Sequence, residues 1–177
     1  NLIVFAMQMM LMLVLGHVLA LSKPINHFIN SVVVHLQNTS IAASVVALLT
    51  MLVAFFNWGL GLIFGAILAR KVAEQALRNN WKINYPLIGA AGYSGLMVWH
   101  GGFSGSSLAK VAEPGHLASL FPAASFTNEL PPAITYSETV FSSLNIFVSI
   151  LLIVLVPGAL FLLGKKSPST EIQLNSH

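Results

Sequence analysis

The sequence predicts an all-α membrane protein in which transmembrane helices flank a re-entrant helical hairpin and a broken helix. Three observations predict it. Of the 177 residues, 56% are hydrophobic and 7% charged, with a mean hydropathy of +0.82, whereas a soluble domain carries about 25% charged residues. Several apolar runs reach the roughly 20 residues needed to cross a hydrocarbon core of about 30 Å. Two of them carry turn-forming residues where a helix interior should be, at Asn57-Trp58-Gly59-Leu60-Gly61 and from Trp99 to Ser107. Irregular backbone at membrane depth survives only where protein buries it or where it lines a wet cavity.

Composition removes several classes of function. Cys and Asp are both absent, so disulfide and thiolate chemistry is excluded, although missing Cys says little about compartment. The net charge of +3 is spread over residues that flank apolar runs, which is not the pattern of a nucleic-acid binder. The sequence opens at Asn1 inside an apolar run, with no initiator Met and no charged leader. It closes on a polar tail, 167–177. Both ends read as those of a piece of a longer chain.

Residues 2–22 are apolar apart from Gln8 and His17 and form the first expected span. Met7, Met9, Met10 and Met12 read as packing or lipid-facing residues rather than metal ligands. Lys23-Pro24 stops that helix. Over 24–38, Ile25, Phe28, Ile29, Val32 and Leu36 share one helical face, while His27, Asn30, Ser31, His35 and Asn38 share the other. This is an amphipathic pattern. Fifteen residues rise only about 22 Å, so an interfacial helix is expected, with the two histidines as solvated surface groups.

Residues 41–69 are apolar throughout, too long for one straight crossing. Spacing alone leaves two readings, a re-entrant hairpin with Asn57-Trp58-Gly59 at its tip, or one long, tilted and kinked helix. The basic residues favour the hairpin. It sets Lys23, Arg70, Lys71, Arg78, Lys82, Lys165 and Lys166 on one side and Lys110 with Glu113, Glu129 and Glu138 on the other. Arg70, Glu74 and Arg78 stand at i,i+4 spacing and carry the hairpin's second arm, 41–78 in all, into water. Asn79-Asn80 ends it, and Trp81 and Tyr85 read as interface anchors.

A broken helix is expected over 86–113. Pro86 suits its first turn, and Gly89, Gly92 and Gly95 would let a neighbouring helix approach. From Trp99 to Ser107 there are three glycines and three serines in nine residues, poor material for a helix interior. A short arm follows, closed by Pro114-Gly115. Residues 114–134, with Pro122, Pro131 and Pro132, read as a loop whose Leu117, Leu120, Phe121 and Phe126 can rest in the interface. Thr135-Tyr136-Ser137-Glu138 has the pattern of a capping box and opens a last span, 136–163, with Pro157-Gly158 as a kink and Lys165-Lys166 at its end.

No enzyme signature holds. Gly102-Phe103-Ser104-Gly105-Ser106 is near a nucleophile elbow but has Ser where the last Gly belongs, and there is no Asp for a triad. The two breaks are instead candidate binding elements, since broken helices carry substrate and ion sites in transporters. Freed amides and serine hydroxyls can donate to a carboxylate, a restarted half-helix presents its positive end, and carbonyls can hold a cation. The candidate substrate-binding residues are Asn57, Gly59, His100, Gly101, Gly102, Ser104, Gly105, Ser106 and Ser107. His100 is the one ionisable residue within its apolar run. It reads either as a proton relay or anion donor, or as a neutral histidine bonded to a carbonyl in a packed bundle.

Residues 57–61, the run Tyr93-Ser94-Gly95-Leu96-Met97-Val98-Trp99-His100-Gly101-Gly102-Phe103-Ser104-Gly105-Ser106, then Ala112-Glu113-Pro114-Gly115-His116 and Ser137-Glu138-Thr139-Val140-Phe141-Ser142 resemble the bacterial short-chain fatty acid transporter family. That family is similar to the ion transporter superfamily, built from two inverted repeats whose hairpins and broken helices meet at the substrate. The resemblance implies one repeat of a multi-pass secondary carrier of the bacterial inner membrane, taking up short-chain carboxylates such as acetoacetate or butyrate. Asn57-Trp58-Gly59 and Ser104-Gly105-Ser106 stand where the superfamily has Ser-Asn-Thr tips. The expected partners are the carboxylate, the lipid bilayer, the rest of the same transporter chain with its second repeat, and a second copy in a homodimer; nucleic acid is not among them. No cofactor is expected beyond a coupling cation, Na⁺ or H⁺. The rival reading is a structural or assembly subunit whose glycines only pack helices.

Overall fold

A computed structural model describes residues 2–20, 22–120 and 130–169. Glu129, Pro122, Phe121 and Phe126 of the expected loop, and residues 170–177 of the expected tail, lie outside the described residues. The described chain is helical, without strands. Its helices are α1 (Leu2–Ala20), α2 (Lys23–Val33), α3 (Thr39–Phe56), α4 (Trp58–Arg78), α5 (Tyr85–Ala91), α6 (Ser106–Val111), α7 (His116–Leu120) and α8 (Ser143–Lys166). Tight 3₁₀ turns at Ser94–Met97 and Trp99–Gly101 lie between α5 and α6. Among the described helices, α3 and α8 are each long and apolar enough to cross a membrane.

Side-chain caps set the helix starts. The Oδ1 atoms of Asn38, Asn57 and Asn84 accept from the backbone N–H of Ile41, Leu60 and Leu87 at 3.0, 3.0 and 3.1 Å, so each asparagine satisfies an amide that the first helical turn leaves without a partner. Asn57 serves two helices at once. It is the only residue between α3 and α4, in extended conformation (φ −149°, ψ 118°), and its own N–H bonds Val53 O.

The chain reverses at that residue. A Cβ built on Gly61 would stand 2.5 Å from the Ala54 Cβ, and one on Gly65 would stand 2.8 Å from Thr50 Oγ1. The paired numbers fall on one strand of the hairpin as they rise on the other, which is antiparallel register. At 1.5 Å per residue α3 rises about 27 Å and α4 about 32 Å, both longer than arms measured from residues 41 and 69. Ala42, Ala43, Val46 and Ala47 meet Leu68, Ala69, Val72 and Ala76 in the core. These mostly small side chains let the two arms approach closely. Left-handed Asn80 (φ 54°) ends α4, and Trp81 N–H closes back on Ala76 O at 2.8 Å, a Schellman-type stop.

The other elements pack around this hairpin. α8 runs antiparallel to α3: a Cβ on Gly164 would come within 2.6 Å of Ser40 Cα, while Asn145 lies at the hairpin's tip. Gly16 of α1 meets Ile63 of α4. The polar end of the bundle therefore gathers Arg78, Lys165 and Lys166, with Asn84 N–H on Thr39 Oγ1 at 2.9 Å tying α5 to the start of α3. Lys23 stands apart from them. The adjoining Pro24, Ile25 and Phe28 line a groove with Leu52, Val53 and Leu60, towards the tip, because the apolar face of α2 seats on the hairpin's flank. α2 buries Ile29 and Val33.

Several boundaries differ from expectation, among them the end of α2, which stops at Val33 and not at residue 38. The helix opening at Tyr85 ends at Ala91, well before Trp99. There Gly92 N–H is shared between Ile88 O and Gly89 O, both at 3.1 Å, and Ser94 Oγ donates to Ala91 O at 2.7 Å, a side-chain bond that competes with the helical ladder. Of the three glycines in this stretch, Gly92 and Gly95 lie against the hairpin, at Gly65 and Ala54, whereas Gly89 faces open space. At the last span, Glu138 Oε2 does accept from Thr135 N–H at 3.0 Å. That bond closes a turn, because Glu138 N–H bonds Thr135 O and Phe141 N–H bonds Tyr136 O. The helix itself starts at Ser143 under Ser142, whose Oγ accepts from Asn145 N–H at 3.3 Å. It runs through Pro157 to Lys166.

Candidate functional site

The two breaks meet. Ser104 Oγ accepts from the Trp58 N–H at 3.0 Å, and Phe103 N–H donates to Phe55 O at 2.9 Å. These bonds lie on either side of Asn57 and dock the hairpin tip onto the unwound segment. Gly102 lies so close beneath the tip that a Cβ there would overlap the Phe55 carbonyl. Its backbone is extended (φ −92°, ψ −177°) and open to any residue, so glycine is needed here for space and not for conformation.

The segment 100–105 also folds on itself. Gly105 N–H bonds Gly102 O at 3.1 Å, and a Cβ on Gly105 would stand 2.5 Å from His100 O. An aromatic cluster surrounds the junction. The Phe103 ring stacks on Phe56 at 5.7 Å and meets Phe55 and Phe141 edge-on at 5.8 and 5.7 Å, geometries that suit the ring quadrupoles. Trp58 and Trp99 stand 5.7 Å apart, and Trp99 lies 3.8 Å from the His100 ring.

Asn57, Gly59, Gly101, Gly102, Ser104 and Gly105 are thus brought to one place. Asn57 commits its Oδ1 to Leu60 N–H, so its Nδ2 amide is what it can offer a ligand. Ser104 accepts from Trp58 and keeps its own proton to donate, as a hydroxyl can do both. His100 and Ser107 are exposed in this chain. Of Ser106 only the backbone is described, as the first residue of α6. α6 is six residues long, so the dipole at its start is a short one. No Lys or Arg occurs over 24–69 or 83–109, which leaves hydroxyls, amides and backbone N–H groups as the donors near the tip.

The residue that sequence reasoning passed over is Asn145. Its Nδ2 donates to Gly101 O and to Val140 O, both at 2.8 Å, and its Oδ1 occupies the space a Cβ on Gly101 would need. A lone amide between Leu144 and Ile146, in a long apolar helix, was the available signal, since polar groups at such positions carry interhelical bonds.

A helical hairpin whose tip is docked on an unwound, glycine-rich turn, with two helices long and apolar enough to cross a membrane, is an arrangement suited to a membrane protein. The chain belongs to the family described as short chain fatty acid transporter, which matches residues 1–174. It is 38% identical over 168 residues to an Escherichia coli (strain K12) protein provisionally named a short-chain fatty acid transporter, covering 89% of this chain and 33% of that one. A Haemophilus influenzae (strain Rd) protein with the same provisional name is 32% identical over 172 residues, covering 97% of this chain and 37% of its own length. The chain therefore spans about a third of the length of these relatives. No solved structure matches it.

Proposed function

We propose that this chain is the first repeat of an ion-coupled secondary carrier that moves short-chain carboxylates across the bacterial inner membrane. In this reading α3 and α4 form a re-entrant hairpin, and the substrate carboxylate binds where its tip meets residues 101–107. The observation that carries it is the pair of hydrogen bonds, Trp58 N–H to Ser104 and Phe103 N–H to Phe55 O, that join the two breaks. Desolvating a carboxylate costs several kcal/mol even after relaxation. With no Lys or Arg at hand, the Ser104, Ser106 and Ser107 hydroxyls and the Asn57 amide supply donors; the N–H groups of Gly101, Gly102 and Gly105, also expected as donors, are engaged with Val98 O, Trp99 O and Gly102 O at 3.1, 3.0 and 3.1 Å. A Na⁺ or H⁺ sharing the site would offset the remaining charge, and the second repeat would close the face on which His100 and Ser107 are exposed.

Hydrogen bonds to a charged group contribute about 1.5–3 kcal/mol each. Ser104→Ala and Ser106→Ala in the full-length protein should therefore raise the apparent KM for labelled butyrate by roughly tenfold to a hundredfold, Ser106→Ala at normal expression and thermal stability and Ser104→Ala with a stability loss of about 0.5–1.5 kcal/mol, because it also removes the acceptor of the Trp58 N–H. Wild-type affinity in both variants would move the site elsewhere, and no uptake by the unmodified full-length protein would favour a structural subunit. The topology has its own test. Cysteines at exposed Gln37 and Asn80 should be labelled by an impermeant maleimide from the same, cytoplasmic side, since a chain that reverses at Asn57 returns to the side it left. Labels on opposite sides would exclude the hairpin.

A further inference from the structure

We propose that the groove between α2 and the charged end of α4 binds the phosphate headgroup of an anionic phospholipid. The groove has a volume of about 250 Å³. Four side-chain donors line it, Asn30 from α2 and Lys71, Gln75 and Arg78 from α4. The side chains of Asn30, Gln75 and Arg78 have no hydrogen-bond or ion-pair partner among the described residues.

The one acidic group in the groove, Glu74, is already engaged. Arg70 Nε donates to its Oε1 at 3.0 Å, and Lys71 Nζ stands 3.4 Å from its Oε2. Burial alone would raise this carboxyl's pKa, but the Arg70 hydrogen bond and the Lys71 charge outweigh it and hold it below the ordinary glutamate value. Glu74 is thus neutralised from within the groove by Lys71 and from outside it by Arg70, and the groove itself sets two cations, Lys71 and Arg78, against one carboxylate. The groove is therefore rich in donors, net positive, and suited to an oxyanion.

Two features favour a lipid over a free anion. Val33 and Val34 complete the wall, and Val34 is 51% exposed, an apolar surface that suits a glycerol backbone and its first methylenes and gives nothing to a soluble phosphate. The groove also lies at the polar end of the bundle that gathers Lys165 and Lys166, where the headgroups of an anionic leaflet attract basic side chains. The inference does not depend on the transport reading and holds whatever the tip site carries.

The test uses the full-length protein in neutral detergent, with native mass spectrometry reading binding of short-chain phosphatidylglycerol, phosphatidylcholine and inorganic phosphate in separate arms. Phosphatidylglycerol should bind in preference to phosphatidylcholine. Lys71→Gln with Arg78→Gln should weaken it by roughly tenfold to thirtyfold, while Lys165→Gln with Lys166→Gln, at the same end but outside the groove, should change it far less. Arg78→Gln alone, at an exposed position, should give a smaller loss in the same direction should the double variant fail to fold. Unchanged phosphatidylglycerol affinity in the groove variants, or equal binding of phosphatidylcholine, would overturn the proposal. So would competition by inorganic phosphate at equal concentration, which would mark a small-anion site.

Discussion

Gly102→Ala should lower the stability of the full-length protein by about 3 kcal/mol or more and abolish uptake. Overpacking a well-filled site costs about 1–3 kcal/mol, occasionally more. Here the added methyl meets the Phe55 carbonyl, which is backbone held in place by the end of α3 and by its bond from Phe103 N–H. No rotamer change can relieve that contact. The tip must lift off the unwound segment, and the Phe103 N–H to Phe55 O and Trp58 N–H to Ser104 Oγ bonds are then lost, at about 0.5–1.5 kcal/mol net for each. Gly89→Ala is the matched control. It lies in α5 with nothing within 4 Å of the added carbon, so it should raise stability by about 0.5–1 kcal/mol. Thermal unfolding of both variants in the same detergent checks the pair, and similar melting temperatures would mean that the tip is not docked as described.

The parts of this fold that were legible beforehand are those governed by local chemistry. Asn57 between two apolar runs marks a break because its short amide caps the following helix; Asn38, expected on the polar face of an interfacial helix, and Asn84, not singled out beforehand, begin helices for the same reason. Asn79-Asn80 stops α4 because asparagine tolerates the left-handed conformation that a Schellman turn needs. What was not legible depends on partners distant in sequence. The unwinding starts at Gly92 because α4 presents Gly65 there, and no local pattern separates Gly92 from Gly89, which faces nothing. Thr135 and Glu138 make part of their expected bond set, yet it closes a turn, since the helix that follows is positioned by packing on α3 and not by its first cap. At the candidate site, Ser104 and Gly102 were readable as breaker residues. That Ser104 would accept from Trp58, and that Asn145 would hold Gly101, required the tertiary structure, because each bond spans more than forty residues.

Asn145→Leu should lower stability by about 1–2 kcal/mol and depress transport more than its stability loss explains. The Asn145 amide joins α8 to both the Trp99–Gly101 turn and the 136–142 turn, through Gly101 O and Val140 O. Leucine keeps most of the volume, so little of the effect comes from a cavity; the loss is two donors. In membrane proteins an interhelical hydrogen bond contributes about 0.6 kcal/mol on average and up to about 1.7, less than in a sealed core, because freed groups find other partners. Two such bonds set the expected size. The larger consequence is positional. Gly101 O then has nothing to fix it, and His100 and Gly102 on either side lose their register with the hairpin tip, a displacement that costs rate even when folding survives. Asn145→Asp separates this from a packing effect. An ionised carboxylate has nearly the same shape, but it points oxygen at the two carbonyl oxygens and donates nothing, so it should be worse than leucine. Butyrate uptake and melting temperature should both fall in the order Asn, Leu, Asp. If aspartate matched the wild type while leucine failed, Asn145 would be acting through its volume and polarity alone, and the bonds to Gly101 and Val140 would not be what holds the turn.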